Sequence, residues 1–435
     1  MTVFPNIHGI KKSSYKKSVN GFIPKTVLIP LRQDMGRECR LLVKEGDKVK
    51  EGQLIAQSSY ENGKSSSSVY SPIPGIVTGT ELCLCPDGKM SHAVRIKLEG
   101  SFSYLGKKKN PLDVYLMRQN DLIQEIAIKG IVNTFTVQEP GLLADDILKA
   151  SEKKAKLLVV RLFDEDSSRY TDSLLSNFFT EEIFEGARIA LRALNGEGII
   201  FVTEKDFVKP ENIHIQAPCF FVQAKKRLYP SGYKNQIISL VKSQVKDETF
   251  SKVSRHSLFT DSSTMLELYR TINGGFPSID RYILVGGECL NVSGIIKVVH
   301  GTSFRDLAEQ CGGLVKRPGA IIVNGYVSGF SSTALDIPVT KYVKSVTFVP
   351  EIKVPNQKMS VCMHCGECRR ICPEKLTPDL IYSKLRGIEN LPDIYQQARK
   401  FCTDCALCNS VCPSRLPLSQ IIYEKPKEEI EIESE

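Results

Sequence analysis

Two runs of four cysteines near the carboxyl end are the feature that most constrains how this chain can fold. The first run reads Cys362-Met-His-Cys365-Gly-Glu-Cys368-Arg-Arg-Ile-Cys372-Pro373, and the second reads Cys402-Thr-Asp-Cys405-Ala-Leu-Cys408-Asn-Ser-Val-Cys412-Pro413. Both follow the spacing C-x2-C-x2-C-x3-C-P, in which three close thiolates hold one cubane and the fourth ligates another. The spacing therefore predicts two [4Fe–4S] clusters with crossed ligands.

Crossed ligation assigns four cysteines to each predicted cluster, because the last cysteine of each run reaches the other cluster. The predicted ligands of the first cluster are Cys362, Cys365, Cys368 and Cys412. The predicted ligands of the second are Cys402, Cys405, Cys408 and Cys372. The alternative is a pair of zinc sites, since C-x2-C pairs also bind zinc. Zinc does not require the third close cysteine or the trailing Cys-Pro, so the pattern favours iron–sulfur clusters.

Composition limits the remaining possibilities. A length of 435 residues predicts about three domains, and 25% charged with 42% hydrophobic residues is typical of a globular protein. No apolar run approaches the roughly 18 residues of a membrane span, and Met1 is not followed by a signal-peptide pattern. The formal charge of +9 falls to roughly +5 once cluster ligation is counted. Without a concentrated basic face, we expect no nucleic-acid binding.

The amino-terminal part predicts a leader followed by a β domain. Residues 1–37 are broken by Gly and Pro and predict an extended leader, with one cluster of lysines at Lys11, Lys12, Lys16 and Lys17. Residues 38–100 predict a barrel-sandwich, lipoyl-like domain of short strands separated by turn glycines such as Gly46 and Gly52. Lys64 lies near the position of a carrier lysine, but its Gly-Ser loop lacks a modification signal, so we expect an unmodified domain.

The middle of the chain predicts two further folded modules, which makes the chain a multidomain α/β and α+β protein. In residues 111–260, the runs 157–160, 198–202 and 220–222 predict parallel strands, and 181–194 predicts an amphipathic helix, as in a Rossmann-like domain. In residues 275–350, two strand-then-turn units flank a short helix, Phe304 to Cys311, which we expect Thr302 to cap and Gly312-Gly313 to end. This pattern predicts a β-grasp module.

Residues 355–423 predict an α-helical two-cluster ferredoxin domain. Thr377-Pro378 is an N-cap followed by a proline at the first helical position, and Pro392 predicts the start of a second helix. His364 lies between ligands, where we expect a bystander. Residues 424–435 form an acidic tail, which we expect to be solvated.

The order of these modules resembles the C subunit of Rnf-type ion-translocating electron transport complexes. Besides the two cysteine runs, the resemblance rests on four segments: Ile29-Pro30-Leu31, Lys44-Glu-Gly46-Asp47-Lys-Val49, Tyr229-Pro230-Ser-Gly232 and Leu335-Asp336-Ile-Pro338-Val339-Thr340-Lys341. The region 295–330 is similar to the SLBB-like β-grasp of that family. The cysteine motif alone is shared by many redox proteins, whereas the order of all four modules is much more specific.

The resemblance implies a role, partners and cofactors. It implies a peripheral subunit on the cytoplasmic side of a bacterial inner membrane, bound to the membrane subunits of the complex. Its electron-transfer partner is expected to be ferredoxin or NAD(H), and its cofactors two [4Fe–4S] clusters with FMN and NADH in the α/β domain. Two alternatives remain open: a cluster-bearing relay or scaffold that has lost FMN and NADH chemistry, and a soluble cobalamin-reductase-like protein.

The residues themselves argue against FMN and NADH. A phosphate site needs glycines at a turn that opens a helix, whereas Asn133 to Gln138 form a β-branched and aromatic run suited to a strand. Glu139 adds a repelling charge, and Pro140 lacks an N–H donor. We therefore expect weak or no binding of either molecule. The alternative is a relocated phosphate site at Lys225, Lys226 or Lys234.

Overall fold

A computed structural model describes most of the chain, in two compact units. The described residues are 16–58, 60–61, 64–102, 113–152, 156–204, 207, 217–224, 229–353 and 358–423. The first unit comprises Met1–Gly325 and Gly329–Lys353, and the second comprises Tyr326–Ser328 and Val354–Glu435. In the described ranges, no helix combines the length and the apolar character that a membrane span requires. Lys11, Lys12, Lys225, Lys226 and the acidic tail lie outside the described residues.

The first module of the first unit is a barrel of short strands. The strands between residues 16 and 98 are β1 (Lys16–Asn20), β2 (Thr26–Pro30), β3 (Arg40–Leu41), β4 (Lys48–Val49), β5 (Leu54–Gln57), β6 (Tyr60–Glu61), β7 (Lys64–Ser65), β8 (Val69–Tyr70), β9 (Gly75–Leu84) and β10 (Met90–Leu98), of which β1 belongs to another sheet. A four-stranded sheet, β2-β10-β9-β4, and a three-stranded sheet, β3-β5-β8, enclose a core that includes Val27, Ile29, Ile55 and Ile96. The predicted turn glycines Gly46 and Gly52 both have positive φ.

The predicted boundary between leader and barrel at residue 37 is wrong. Strand β2 pairs with β10 from Thr26 to Pro30, because Val27 and Ile29 alternate into the core as a half-buried strand requires. Strand β1 pairs with a strand of the β-grasp module described below. Lys64 lies in a strand rather than in a loop, since it pairs with Glu61 in the β6–β7 hairpin. Its side chain lies outside the described residues.

The second module is a parallel sheet flanked by helices, as predicted. Its elements are α1 (Gln119–Ile128), β11 (Val132–Asn133), β12 (Gly141–Leu142), α2 (Leu143–Ser151), β13 (Leu157–Arg161), α3 (Thr171–Phe178), α4 (Thr180–Leu194), β14 (Gly198–Thr203), β15 (Cys219–Gln223), α5 (Lys234–Gln244), α6 (Glu248–Ser251), β16 (Leu258–Asp261) and α7 (Ser262–Gly274). The sheet order is β15-β14-β13-β16, with all strands parallel. The three predicted strands and the predicted helix are confirmed as β13, β14, β15 and α4.

Two expectations about this module are wrong. The module does not end at residue 260, because β16 completes the parallel sheet and α7 packs against α3 and α4. The run from Asn133 to Gln138 is not a strand beyond Asn133, where β11 ends. Thr134 and Phe135 are buried in a loop whose amides bind side chains instead of a neighbouring strand.

The third module is a mixed sheet with one helix across it. Its elements are β17 (Asp280–Gly286), β18 (Gly294–Val299), α8 (Phe304–Gln310), β19 (Pro318–Val323), β20 (Phe330–Ser332) and β21 (Ser345–Pro350). The order β1-β18-β17-β21-β19-β20 places the first and last strands of the β-grasp, β17 and β21, side by side and parallel. Thr302 does not cap α8. Ser303 does, in a capping box with Asp306, while the Thr302 hydroxyl donates to the Val299 carbonyl. Gly312 and Gly313 follow the helix with positive φ, as predicted.

The second unit is helical in its described part. Its helices are α9 (Glu367–Ile371), α10 (Pro378–Leu385), α11 (Ile394–Ala398), α12 (Leu407–Ser410) and α13 (Leu418–Tyr423). Pro378 occupies the first turn of α10, as predicted. The next helix begins at Ile394, two residues after the predicted Pro392, because Asp393 is its N-cap. The core consists of apolar side chains and cysteines, including Ile381, Leu416, Leu418, Cys368 and Cys408.

Candidate iron–sulfur and nucleotide sites

The second unit distributes its eight cysteines between two small cavities. The first cavity is lined by Cys362, Cys365, Cys368 and Cys412. The second is lined by Cys372, Cys402, Cys405 and Cys408. Each cavity therefore receives three cysteines from one run and the last cysteine of the other. These are the two sets of four that the crossed-ligation pattern predicts, although the ligation itself stays a prediction.

The two runs repeat one backbone conformation. Three pairs of equivalent residues lie in the left-handed region, which non-glycine residues rarely enter: His364 and Asp404 with φ of 52° and 50°, Gly366 and Ala406 with 76° and 52°, Lys375 and Arg415 with 56° and 53°. Helices α9 and α12 each begin directly after the second of these matched positions. The same positive φ values at equivalent positions indicate that the two cysteine loops have the same shape and enclose cavities of similar size.

Backbone amides in these loops point at sulfur atoms. The N–H of Leu376 donates to Cys372 Sγ at 3.4 Å, and the N–H of His364 donates to Cys362 Sγ at 3.5 Å. Backbone hydrogen bonds also reach Cys402, Cys405 and Cys408. Such donors favour thiolate over thiol and tune a bound metal centre.

Burial opposes ionisation of several of these thiols. It raises the pKa of Cys402 to about 12 and the pKa values of Cys368 and Cys405 to about 11. Thiols with such pKa values remain protonated at neutral pH unless a cationic centre displaces the protons. An all-cysteine donor set with amide donors around it fits an iron–sulfur cubane. No three His, Cys, Asp or Glu side chains of the described chain surround a position for a single metal ion.

The two cavities differ in charge and exposure. Asp379 lines the first cavity and is held by Arg369, whose Nε and Nη2 lie 2.8 Å and 2.6 Å from the two carboxylate oxygens. At the equivalent place by the second cavity, the Ser419 N–H donates to Asn409 Oδ1. Cys365 is exposed, whereas its counterpart Cys405 is buried. His364 lines the first cavity, with its Nε2 3.8 Å from Glu389.

The second candidate site is the carboxyl edge of the parallel sheet. Folds of this kind bind nucleotides where the strand order reverses, which here is between β13 and β16. The last residues of these strands, Arg161 and Asp261, are register partners and are both fully buried. The place where a nucleotide is expected is therefore occupied by charged side chains of the protein.

Arg161 binds three segments over this edge. Its guanidinium donates to the carbonyls of Phe135 at 2.8 Å, Phe163 at 3.0 Å and Gly232 at 2.7 Å. These carbonyls belong to the expected flavin loop, to the acidic segment after β13 and to the Tyr229-Pro230-Ser-Gly232 motif. The Arg161 side chain thus stands where a ligand would need open space.

Three amides of the expected flavin loop already have acceptors in the protein. The N–H of Thr134 donates to Thr264 Oγ1 at 3.0 Å, and the N–H of Phe135 donates to Asn133 Oδ1 at 3.2 Å. The N–H of Val137 faces Glu165 Oε1 at 3.4 Å. A phosphate needs converging free N–H groups. The residues present therefore do not fit an FMN phosphate at this loop.

Lys344 is a third buried charged residue at this sheet edge, and with Arg161, Asp172 and Asp261 it forms a buried network of charges. Its Nζ lies 2.7 Å from Asp172 Oδ2 and also contacts Asp261, and all three side chains are fully buried. Asp261 accepts further hydrogen bonds from the Thr134 hydroxyl and the Thr264 N–H. Burial raises the pKa of Asp172; burial also opposes ionisation of Asp261, but Lys344 and Arg161 hold the pKa of Asp261 well below its usual range. Asp261 and Lys344 were not identified from the sequence. A charged residue at the end of an apolar strand, as at Arg161 and Asp261, is a signal that could have identified Asp261.

Comparisons with known proteins give relatives for most of the chain. Residues 6–101 match the family described as RnfC Barrel sandwich hybrid domain. The chain is 25% identical over 389 residues to the C subunit of the proton-translocating ferredoxin:NAD(+) oxidoreductase complex of Clostridium ljungdahlii, covering 87% of this chain and 81% of that protein. It is 26% identical over 389 residues to the C subunit of the ion-translocating oxidoreductase complex of Methanosarcina acetivorans, covering 82% of each.

One solved structure shows a weaker likeness. A chain of the NAD+-reducing [NiFe]-hydrogenase in the air-oxidized state superposes with a TM-score of 0.48 at 13% identity, covering 70% of this chain and 63% of that chain. A score at this level is too low to support a conclusion about this chain.

Crossed ligation predicts the effect of single cysteine changes. We expect Cys412→Ser to disturb the centre held by the first run, and Cys372→Ser to disturb the one held by the second run, because each lines the other run's cavity. Electron paramagnetic resonance of each reduced variant distinguishes the two centres, with Cys219→Ser outside both cavities as the control. If each substitution changed only the centre of its own run, the ligand sets would be wrong.

Removing the buried ammonium group of Lys344 should destabilise the protein much more than removing a part-exposed one. Lys344→Met removes the ammonium group that pairs with the buried carboxylates of Asp172 and Asp261, and it should lower the free energy of unfolding by about 3–5 kcal/mol at pH 7. The control Lys297→Met removes a part-exposed pair with Asp280, 2.8 Å apart, and should cost about 1 kcal/mol or less. Urea denaturation measures both values.

The loss of stability caused by Lys344→Met should depend on pH. The pKa of Asp261 is lowered on folding. Its contribution to the free energy of unfolding is therefore fully present above the unfolded carboxyl pKa of about 3.9, and it is lost as the pH falls from that value toward the lower folded pKa. The difference between Lys344→Met and the unaltered protein should therefore narrow in acid. A difference that stayed constant from pH 7 to pH 3 would show that packing, not charge, determines it.

Proposed function

From its confirmed resemblance to the C subunits of Rnf-type complexes, we propose that this chain is the peripheral electron-transfer subunit of a membrane-bound ion-translocating oxidoreductase. The relatives are named as subunits of ferredoxin:NAD(+) or ion-translocating oxidoreductase complexes. The partners of this chain are accordingly the membrane subunits of such a complex and a redox partner such as ferredoxin or NAD(H). Its place is on the cytoplasmic side of a bacterial inner membrane.

The observation that carries the proposal is the distribution of eight cysteines between two cavities of four. We infer that each cavity holds one [4Fe–4S] cluster, a centre that accepts and donates single electrons. The chain's own residues supply the thiolates, direct amides at the sulfurs and surround the cavities with apolar side chains such as Leu376, Leu416 and Ile422. The surroundings of the two cavities differ, with the Asp379–Arg369 ion pair beside the first and Glu374 beside the second, which favours different potentials for the two centres.

Within that role, we favour a relay whose α/β module has lost flavin and nicotinamide chemistry. The specific observations are the guanidinium of Arg161 over the sheet edge and the internal hydrogen bonds of the loop from Thr134 to Val137. The multidomain order of barrel-sandwich (38–100), Rossmann-like (111–260), SLBB-like (275–350) and ferredoxin (355–423) modules belongs to the same proposal, with the corrected limits given above.

The filled sheet edge predicts that the chain does not bind FMN or NADH there. A site that lacks two or three of the charge-assisted hydrogen bonds to a flavin phosphate, each worth roughly 1.5–3 kcal/mol, binds FMN more weakly by several orders of magnitude. Calorimetric titration of the anaerobically purified chain should give no stoichiometric FMN binding. A micromolar or tighter dissociation constant would instead restore NADH oxidation as an activity of this chain.

The peripheral role predicts conditional membrane association. We expect the protein to fractionate with membranes when its partner subunits are produced and to remain in the supernatant when they are not. High salt should weaken any contribution of the lysines between 11 and 17, because exposed charges are screened. Immunoblots of fractions prepared with and without partners measure this. Retention after carbonate extraction without partners would contradict it.

A further inference from the structure

A second cavity of the α/β module lies beside the filled sheet edge. Its volume is about 320 Å³, and its floor includes Phe259 of edge strand β16 and Phe135 of the loop after β11. Helix α2, the start of α5 and the segment 255–258 form its rim. This volume is at the lower end of the range for small-molecule sites, about 300–1,000 Å³.

Cationic side chains from three separate elements meet at this rim. Lys149 comes from α2, Lys234 from α5 and Arg255 from the segment before β16, and His256 lies next to them. Within the described residues, none of Lys149, Lys234 and Arg255 forms an ion pair, although Lys234 Nζ lies 4.9 Å from the centre of the Phe259 ring. Like charges that converge repel one another, and a bound anion would reduce this repulsion.

The acidic groups in the cavity do not neutralise these cations fully. Among the residues that line it, Asp146 and Glu139 stand against the three cations. Asp146 Oδ2 accepts a hydrogen bond from Asn133 Nδ2 at 2.8 Å, and burial raises the pKa of this carboxyl. Desolvation lowers the pKa of Lys234, and Arg255 adds to that effect, against the attraction of Asp146 and Glu139. The cavity therefore keeps a positive balance at neutral pH.

Helix α5 adds a further positive contribution. It has 11 residues, begins at Lys234, and its N-cap Tyr233 makes no side-chain capping hydrogen bond. The amino end of a helix carries a partial positive charge and attracts anions. Lys234, the first residue of this helix, lines the cavity.

We propose that this cavity binds a small phosphate-bearing compound, with Lys149, Lys234 and Arg255 contacting the phosphate. Glu139 and the hydroxyl of Thr136 are placed to accept or donate hydrogen bonds to hydroxyl groups of the same ligand. The ligand is not a flavin, because Phe135 and Phe259 are only 4% and 3% exposed and leave no open apolar slot for a ring system. The site adjoins the edge at Arg161 through Phe135, and it shares no lining residue with the two cysteine cavities.

Titration calorimetry with two probes tests this proposal on the full chain, purified anaerobically, in a buffer of low ionic strength. Inorganic phosphate and glycerol 3-phosphate should each bind at one site per chain. Tighter binding of glycerol 3-phosphate identifies a phosphomonoester as the ligand, and equal binding identifies free phosphate; both results support the phosphate site. Lys234→Ala and Arg255→Ala should each weaken binding about tenfold or more, since each removes a charge-assisted contact.

Lys242→Ala is the matched control, because Lys242 is a lysine of the same helix that does not line the cavity. It should leave affinity within roughly twofold, the effect of distant screened charge. Equal weakening by Lys242→Ala and Lys234→Ala would mean an adventitious ion only and would overturn the proposal. So would the absence of saturable heat with both probes, or FMN binding that Lys234→Ala abolishes. The iron content of each variant should equal that of the unaltered chain, so failure here is separable from failure of the redox role.

Discussion

Two buried lysines in one short segment, Lys341 and Lys344, tie the modules of the first unit together. Lys344 reaches Asp172 and Asp261 of the α/β module. Lys341 Nζ donates to Ser67 Oγ at 2.9 Å and Ser68 O at 2.8 Å in the barrel, and to Gly130 O at 2.8 Å after α1. Burial lowers the pKa of Lys341 to about 8, against the attraction of Glu267 and Asp34. Barrel, parallel sheet and β-grasp therefore have one relative arrangement, fixed by the segment that precedes β21.

This arrangement has a functional consequence at the sheet edge. Lys344 and Arg161 occupy the crevice that a parallel sheet of this order offers to a nucleotide. This fully buried network uses the Arg161 guanidinium and the Lys344 ammonium group for contacts within the protein, so neither is available to a flavin phosphate. The redox chemistry that we propose is consequently confined to the second unit, and the α/β module retains a cavity lined by Lys149, Lys234 and Arg255.

The sequence predicts what local spacing determines. The cysteine sets follow from intervals of three or four residues, and α4 and the strands β13, β14 and β15 follow from apolar runs that hardly depend on the rest of the fold. The features that the sequence did not predict depend on residues that are distant in sequence. Strand β2 is recognisable only once β10 pairs with it, and the network of Arg161, Asp261 and Lys344 joins positions far apart in the chain. The loop from Thr134 to Val137 has strand-forming residues, but side chains of Thr264 and Glu165 take its amides and prevent a ladder.

The central claim is that the second unit holds two iron–sulfur cubanes between its paired cysteine loops. The most direct test is the metal and sulfide content of the anaerobically purified chain. Two cubanes require about eight iron and eight acid-labile sulfide per chain. Zinc in proportion to the thiolates, with no labile sulfide, would contradict the account.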